Sequence, residues 1–347
     1  MHRILTLVGL FLLAVSCQSP DKAENQSIHE EPNLVIYALD SAGAPAAITR
    51  MIHEAKSGNI WFTTFDGIYR YDGENYSRMP DEVSTARFFS LLEDVEGNLW
   101  FGSIGDGVYK FDGKDFQHIT SKDGLYGDEI TFIFQDSEGK IWFGANGGFS
   151  RYDGQCFQNY KLEAGTIVDV SSLRPTIMQA PPKPDNQSIN EVNSIIEDRD
   201  GLFWIATRGG TFTFDGDEFK KLEHEDGPFA NNRWILEDSL GDIWLGGHHG
   251  LWRFKDDAFT KISDNFIGYI FEDKAGNIWT SSDLRNGNGW GLSKIPQMQL
   301  ASVKPEFEVI ISGEGMVFGI EESSDGSIWY GTLEGSKRLQ GQIFGRY

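Results

Sequence analysis

A glycine followed three residues later by a tryptophan recurs seven times along this chain. The pairs are Gly58/Trp61, Gly97/Trp100, Gly139/Trp142, Gly201/Trp204, Gly241/Trp244, Gly276/Trp279 and Gly326/Trp329. Most steps between tryptophans are close to 40 residues: 39 from Trp61 to Trp100, 42 from Trp100 to Trp142 and 40 from Trp204 to Trp244. The step from Trp244 to Trp279 is 35, and two are longer, 62 from Trp142 to Trp204 and 50 from Trp279 to Trp329. A period near 40 with strand-like content is the mark of blades of four strands each. Seven copies predict an all-β chain: a seven-bladed β-propeller of four-stranded antiparallel blades over residues 33–347.

Each repeat reads as the same run of strands. Apolar stretches such as Phe88-Phe89-Ser90-Leu91-Leu92 and Ile267-Gly268-Tyr269-Ile270-Phe271 suit a first strand buried on both faces. A tight Asp-x-x-Gly turn follows, its Asp capping backbone N–H groups and its Gly supplying positive φ. Leu99-Trp100-Phe101-Gly102 and its variants form strand two, and Val108-Tyr109-Lys110-Phe111 and its variants form strand three. Asp72-Gly73, Asp112-Gly113, Asp153-Gly154 and Asp215-Gly216 predict type I′ hairpins. A short fourth strand carries Tyr76, Phe116, Phe157, Phe219 or Phe259. One tryptophan per blade at a fixed place is a packing element between blades, since a buried aromatic dominates core energetics.

Ring closure has two competing strands, Asn33–Tyr37 and Gln342–Phe344. The first is expected to complete the last blade and so hide an edge. Lys161–Ser188 and Pro296–Gly313 break the period and are expected as surface loops. The first contains Arg174-Pro175 and Pro181-Pro182-Lys183-Pro184, and proline cannot serve a central strand.

The N-terminus reads as an export signal: Arg3, then the apolar run Ile4–Val15, too short to span a bilayer. Leu13-Ala14-Val15-Ser16-Cys17 resembles the lipobox of bacterial lipoproteins. That resemblance implies a signal peptide over 1–17, a lipid on Cys17 and, with Gln18 next, an outer-membrane anchor. Residues 18–32 are polar and predict a flexible tether. The only other cysteine is Cys156, so no disulfide framework is expected. A formal net charge of −22 and a pI near 4.6 argue against nucleic acid as a partner. The membrane is expected to be met through the lipid alone, and the protein to be a monomer.

The repeats resemble the two-component regulator propeller family. The resemblance is carried by Glu197-Asp198 through Gly201 and Trp204, by Gly67-Ile68-Tyr69-Arg70-Tyr71-Asp72 and by Trp329-Tyr330-Gly331-Thr332, and it covers about residues 45–347. It implies an extracytoplasmic sensory propeller, often a glycan sensor. In that family two rings precede a connector, a membrane helix and a kinase. With one ring here, kinase activity is not implied, and signalling would need a membrane signalling protein as partner.

No phosphate-binding glycine loop, zinc-spaced cluster or Gly-x-Ser-x-Gly elbow is present, and no cofactor is expected. The site candidates lie where the copies disagree. Five residues before each turn Asp, or its counterpart, on strands that should be innermost, stand Arg50, Phe89, Thr131, Asn193, Arg233, Gly268 and Phe318. Polar side chains on otherwise apolar strands suggest the lining of a central channel or its mouth, with Arg87 and Trp234 close by. Local arginines in an acidic protein favour an anionic or polyhydroxylated ligand, such as a glycan. The loop between strands two and three adds Arg208, the pair His248-His249, and in blade six a longer run with Arg285 and Trp290. The expected activity is therefore non-catalytic ligand or partner binding in sensing. One alternative is a scaffold in a surface assembly. Another follows from a resemblance to streptogramin lyases, also seven-bladed, which implies a magnesium-dependent lyase with His248 or His249 beside Glu334 or Asp283.

Overall fold

The computed structural model describes residues 34–38, 43–79, 83, 86–163, 166–172, 191–224, 227–284 and 289–341. The leader, Cys17, the tether, Arg285, Gln342–Phe344 and most of the first insertion lie outside these residues. Among the described residues, seven antiparallel sheets of four or five strands form the blades, a two-stranded sheet pairs Glu223–His224 with Gly227–Pro228, and no helix is long and apolar enough to cross a membrane. The first strand of each blade is the inner one: Thr49–Glu54, Phe88–Glu93, Ile130–Gln135, Val192–Glu197, Asn232–Glu237, Ile267–Glu272 and Phe318–Glu322. Each inner strand touches the inner strands of both neighbours, so the seven close a ring around an axis.

Blade seven is completed by the N-terminal strand. Leu34–Ala38 pairs antiparallel with Gly335–Gly341, Leu34 opposite Gly341 and Ala38 opposite Lys337. One sheet thus joins both ends of the ring and its edge is covered.

The repeated Glu-Asp pair divides two structural tasks. The Asp holds its own blade. Asp94 Oδ1 accepts from Asn98 N at 2.7 Å, and Oδ2 accepts from Trp100 Nε1 at 2.8 Å. The same indole bond recurs at Asp136, Asp198, Asp238 and Asp273. Blade seven uses Ser323, at 3.2 Å from Trp329 Nε1. Blade one has Ala55 there, and Trp61 Nε1 is buried without a partner among the described residues. The Glu holds the neighbouring blade. Its carboxylate accepts a backbone N–H from the preceding blade's turn, as in Lys56 N to Glu93 (2.9 Å), Arg199 N to Glu237 (3.0 Å) and Lys274 N to Glu322 (2.6 Å). Gln135, Glu197 and Glu272 repeat it, and Ser324 N to Glu54 (2.5 Å) closes the circle.

The tryptophans are packing elements. Trp142 and Trp244 are fully buried. Trp61 lies on Phe101, Trp100 on Phe143, Trp142 on Phe203 and Trp329 on Phe62, each a residue of the next blade's second strand.

Three expectations need correction. Blade three has five strands, because Phe157–Glu163 pairs with Thr166–Asp169; the first insertion therefore begins as sheet and not as loop. The second insertion opens with a 3-10 turn, Gln297–Gln299, then supplies the outer strand of blade six, Glu308–Glu314. Val309 and Ile311 give that stretch strand character that its irregular spacing obscures. The Asp-Gly hairpins are also of the other type. Gly73 has φ 101° while Glu74 stays at negative φ, the II′ pattern with glycine first. Asp72 Oδ1 caps the N–H groups of Glu74 and Asn75. Two consecutive positive φ values, the I′ pattern, occur instead at Asp256 (49°) and Asp257 (59°).

Candidate functional site

Every inner strand carries a register shift near its start, where two residues oppose one on the neighbouring strand. Such bulges re-aim side chains. In blades one to six the bulged residues are Arg50, Phe89, Thr131, Asn193, Arg233 and Gly268; in blade seven it is Gly319, next to Phe318. All of them line one cavity of about 380 Å³ on the axis. Glu191, Phe266 and Met316 form its rim just before their inner strands, joined by Arg208 from a strand two–three loop. The cavity therefore belongs to the face bearing those loops.

An aromatic layer floors it. Trp234 reaches across to Phe132 of blade three at 5.4 Å and packs on Tyr269 of blade six at 3.9 Å. Met51 completes this layer. Nearer the opposite face, His53 sits between Glu93 (3.2 Å) and Glu321 (3.4 Å). Burial pulls its pKa down, but the two carboxylates outweigh burial and raise it.

The polar wall is unevenly satisfied. Thr131 Oγ1 donates to Val192 O at 2.5 Å, and Asn193 Nδ2 donates to Asn232 O at 2.7 Å, so both tie neighbouring blades together. Arg208 Nε lies 3.0 Å from Glu191 Oε2; the pair is an ion pair off the hydrogen-bond direction, since Nε satisfies no hydrogen-bond geometry. Arg50 and Arg233 have buried Nε atoms without a hydrogen-bond partner among the described residues. Arg50 is sandwiched, its guanidinium carbon 4.6 Å from the Phe89 ring and 4.3 Å from the Phe318 ring. Burial first, then the charge of Arg233, pushes Arg50 down to about 10, with Glu191 opposing. Burial and Arg208 likewise lower Arg233, again against Glu191. One carboxylate among three lining arginines leaves their charge only partly offset, so the cavity is electropositive within an acidic protein.

The remaining candidates divide. Arg87 is exposed and outside the cavity lining, 5.6 Å over Phe65, which stacks on Phe89 at 5.2 Å. Trp290 covers Gly268: a β-carbon there would lie 3.1 Å from Trp290 Cζ3. His248 packs edge-on against Phe266 at 6.3 Å. The His249 ring lies between those of His248, at 5.3 Å, and His224, at 6.0 Å, with its carbonyl accepting from Trp252 Nε1; burial first, then neighbouring His248, lowers its pKa. Among the described residues no three His, Cys, Asp or Glu side chains converge on a metal position. The His248 and His249 rings lie edge to face with centroids 5.3 Å apart, but no carboxylate joins them in such a group, so these residues do not assemble the magnesium site of the lyase reading.

Sequence reasoning missed Glu191, Phe266 and Met316. Each stands two residues before its blade's inner-strand position, as Arg87 does before Phe89. The period-two rule of strands places such residues on the same face.

Residues 186–209, entering blade four, match the model of the family described as Two component regulator propeller. Among curated proteins none matches. Among solved structures, the extracellular domain of the hybrid two component system BT3049 of B. thetaiotaomicron superposes with a TM-score of 0.64 at 20% identity, over 90% of this chain and 41% of that one. This chain thus spans less than half the length of that domain. Virginiamycin B lyase from Staphylococcus aureus gives 0.62 at 13% identity, over 89% and 99%. PorZ, a surface component of the type-IX secretion system of Porphyromonas gingivalis, gives 0.55 at 13%, over 88% and 48%. At these identities the likeness establishes a shared fold.

Proposed function

We propose that this propeller, whose blade four matches the two-component regulator propeller repeat, is a non-catalytic ligand-binding protein of the cell envelope. It binds an anionic or polyhydroxylated small molecule, such as an acidic sugar, in the axial cavity. It is anchored by a lipid on Cys17 and passes occupancy on to a membrane signalling protein. One observation carries this reading: Arg50 and Arg233 are half-buried in the lining of one cavity, and their buried Nε atoms have no hydrogen-bond partner among the described residues. A stable fold gains nothing from such groups, whereas a ligand's negative charge compensates them. The aromatic floor of Trp234, Phe132 and Tyr269 supplies the apolar surface that small-molecule sites combine with a few polar groups. The extracellular or surface setting of BT3049 and PorZ supports the envelope location.

Calorimetric titration of the full chain with a panel of acidic and neutral mono- and oligosaccharides tests the site. At least one is expected to bind, and to lose affinity at least tenfold in Arg50→Gln/Arg233→Gln. Undiminished binding in that variant would move the site elsewhere; no binding across the panel would remove the sugar class. Radiolabelled palmitate incorporated by the wild type and not by Cys17→Ser tests the anchor.

A further inference from the structure

Resting on that reading, we infer that the cavity is built for a doubly charged anion, a phosphate monoester or a compact dicarboxylate, held by Arg50 and Arg233 together. Blades one and five are not neighbours in the ring, so these arginines enter the cavity from well-separated walls. Arg50 nevertheless feels the charge of Arg233, so both guanidinium groups lie about the same water-poor space. Arg208, the third arginine of the lining, is already matched by Glu191 at 3.0 Å. Two positive charges remain. A monoanion would leave one buried guanidinium uncompensated, and each charge beyond two would face Glu191.

The wall holds few free partners for a neutral polyol. The Thr131 hydroxyl donates to Val192 O and one Asn193 amide N–H to Asn232 O. What stays available is the Ser90 hydroxyl, the rest of the Asn193 amide and, as the charged groups, guanidinium edge. Phe89 and Phe318, from the blades on either side, lie 4.6 and 4.3 Å from the Arg50 guanidinium carbon. The guanidinium's N–H fork is the group it can present to a ligand, the geometry that matches carboxylate or phosphate oxygens bidentately. Trp234 and Tyr269 below offer an apolar seat for the rest of the molecule.

Four probes on one carbon skeleton separate charge from shape: glucose, glucuronate, glucose 6-phosphate and glucarate, titrated into the full chain in phosphate-free buffer. One of the two dianions, or both, is expected to bind at least tenfold more tightly than glucuronate, with glucose weakest. The stronger of the two identifies the phosphate or dicarboxylate source, and inorganic phosphate should compete if it is the former. Arg233→Gln is expected to bring dianion affinity down to that of glucuronate. Glu191→Gln, which frees Arg208, should tighten glucuronate several-fold. Circular dichroism confirms folding, and Arg233→Lys, which keeps charge but loses the fork, serves should Arg233→Gln misfold; it should weaken dianions several-fold. If glucuronate or glucose binds as tightly as the dianions, or if the ranking survives Arg233→Gln, the dianion inference falls while ligand binding by the cavity stands. If none of the four binds, the inference falls, and neutral oligosaccharides in the broader panel decide the cavity's role separately.

Discussion

Replacing Arg50 by methionine should make the ligand-free protein more stable. A shift of the guanidinium from its usual 12.5 to about 10 corresponds to a cost on the order of 3 kcal/mol for keeping the cation in place. Methionine fills much of the same volume between Phe89 and Phe318 without charge. The substitution gives up two cation–π contacts, each worth about 1 kcal/mol at this half-buried site, between the exposed and desolvated values. The net expectation is a gain of about 1 kcal/mol. With an unfolding entropy of roughly 2 cal/mol/K per residue across a ring of this size, that raises the midpoint by about 1–2 °C. Differential scanning calorimetry of ligand-free protein reads it, with ligand binding measured on the same samples. The expected pair of results is a higher midpoint and lost anion binding, the trade of stability for function common at binding sites. A midpoint lowered by a degree or more would refute the reasoning, because it would mean that Arg50 is compensated within the fold.

Other consequences follow from the repeat. Ala55→Asp should give Trp61 Nε1 the acceptor that five other blades supply by Asp, with a gain of about 1–2 kcal/mol in chemical denaturation. Glu54→Ala removes the acceptor for Ser324 N and Oγ where the ring closes; a loss of about 1–3 kcal/mol is expected in the same assay. His53 titrates between Glu93 and Glu321, with Tyr269 beside Glu321. Its folded pKa is raised above 6.5, so its stabilisation is complete below 6.5 and is lost as pH climbs through the higher folded value. Midpoints measured across neutral pH should fall with rising pH in the wild type and flatten in His53→Gln. Asp257→Gly relieves a left-handed φ of 59° and should stabilise by about 0.5–1 kcal/mol in thermal melts.

Blade number and strand order were legible because each blade repeats the same solution to the same packing problem. Gly97 has φ 87° and Trp100 lies against Phe143 for reasons present in every copy. What the repeats obscured was any departure from them. Glu308–Glu314 reads as loop because its outer-strand pattern is weak, and Thr166–Asp169 extends a blade where proline nearby argued for irregularity. Arg50 and Arg233 could be placed on the channel by counting back from the turn Asp position. Their condition could not, since sequence does not reveal that Glu191 pairs directly with Arg208 while no carboxylate among the described residues does so with Arg50 or Arg233. Thr131 and Asn193 looked like equally good ligand contacts, and only geometry shows their polar groups committed to neighbouring blades. His248-His249 read as a pair, and the rings do pack edge to face at 5.3 Å, but Phe266 and His224 flank them and no metal-binding group forms among the described residues.

The most direct measurement is a crystal structure of the protein with glucose 6-phosphate. Density for the phosphate within hydrogen-bonding distance of both Arg50 and Arg233, with the sugar seated over Trp234, is the predicted result. A ligand bound outside the axial cavity, with Arg50 and Arg233 left as they are, would contradict the account.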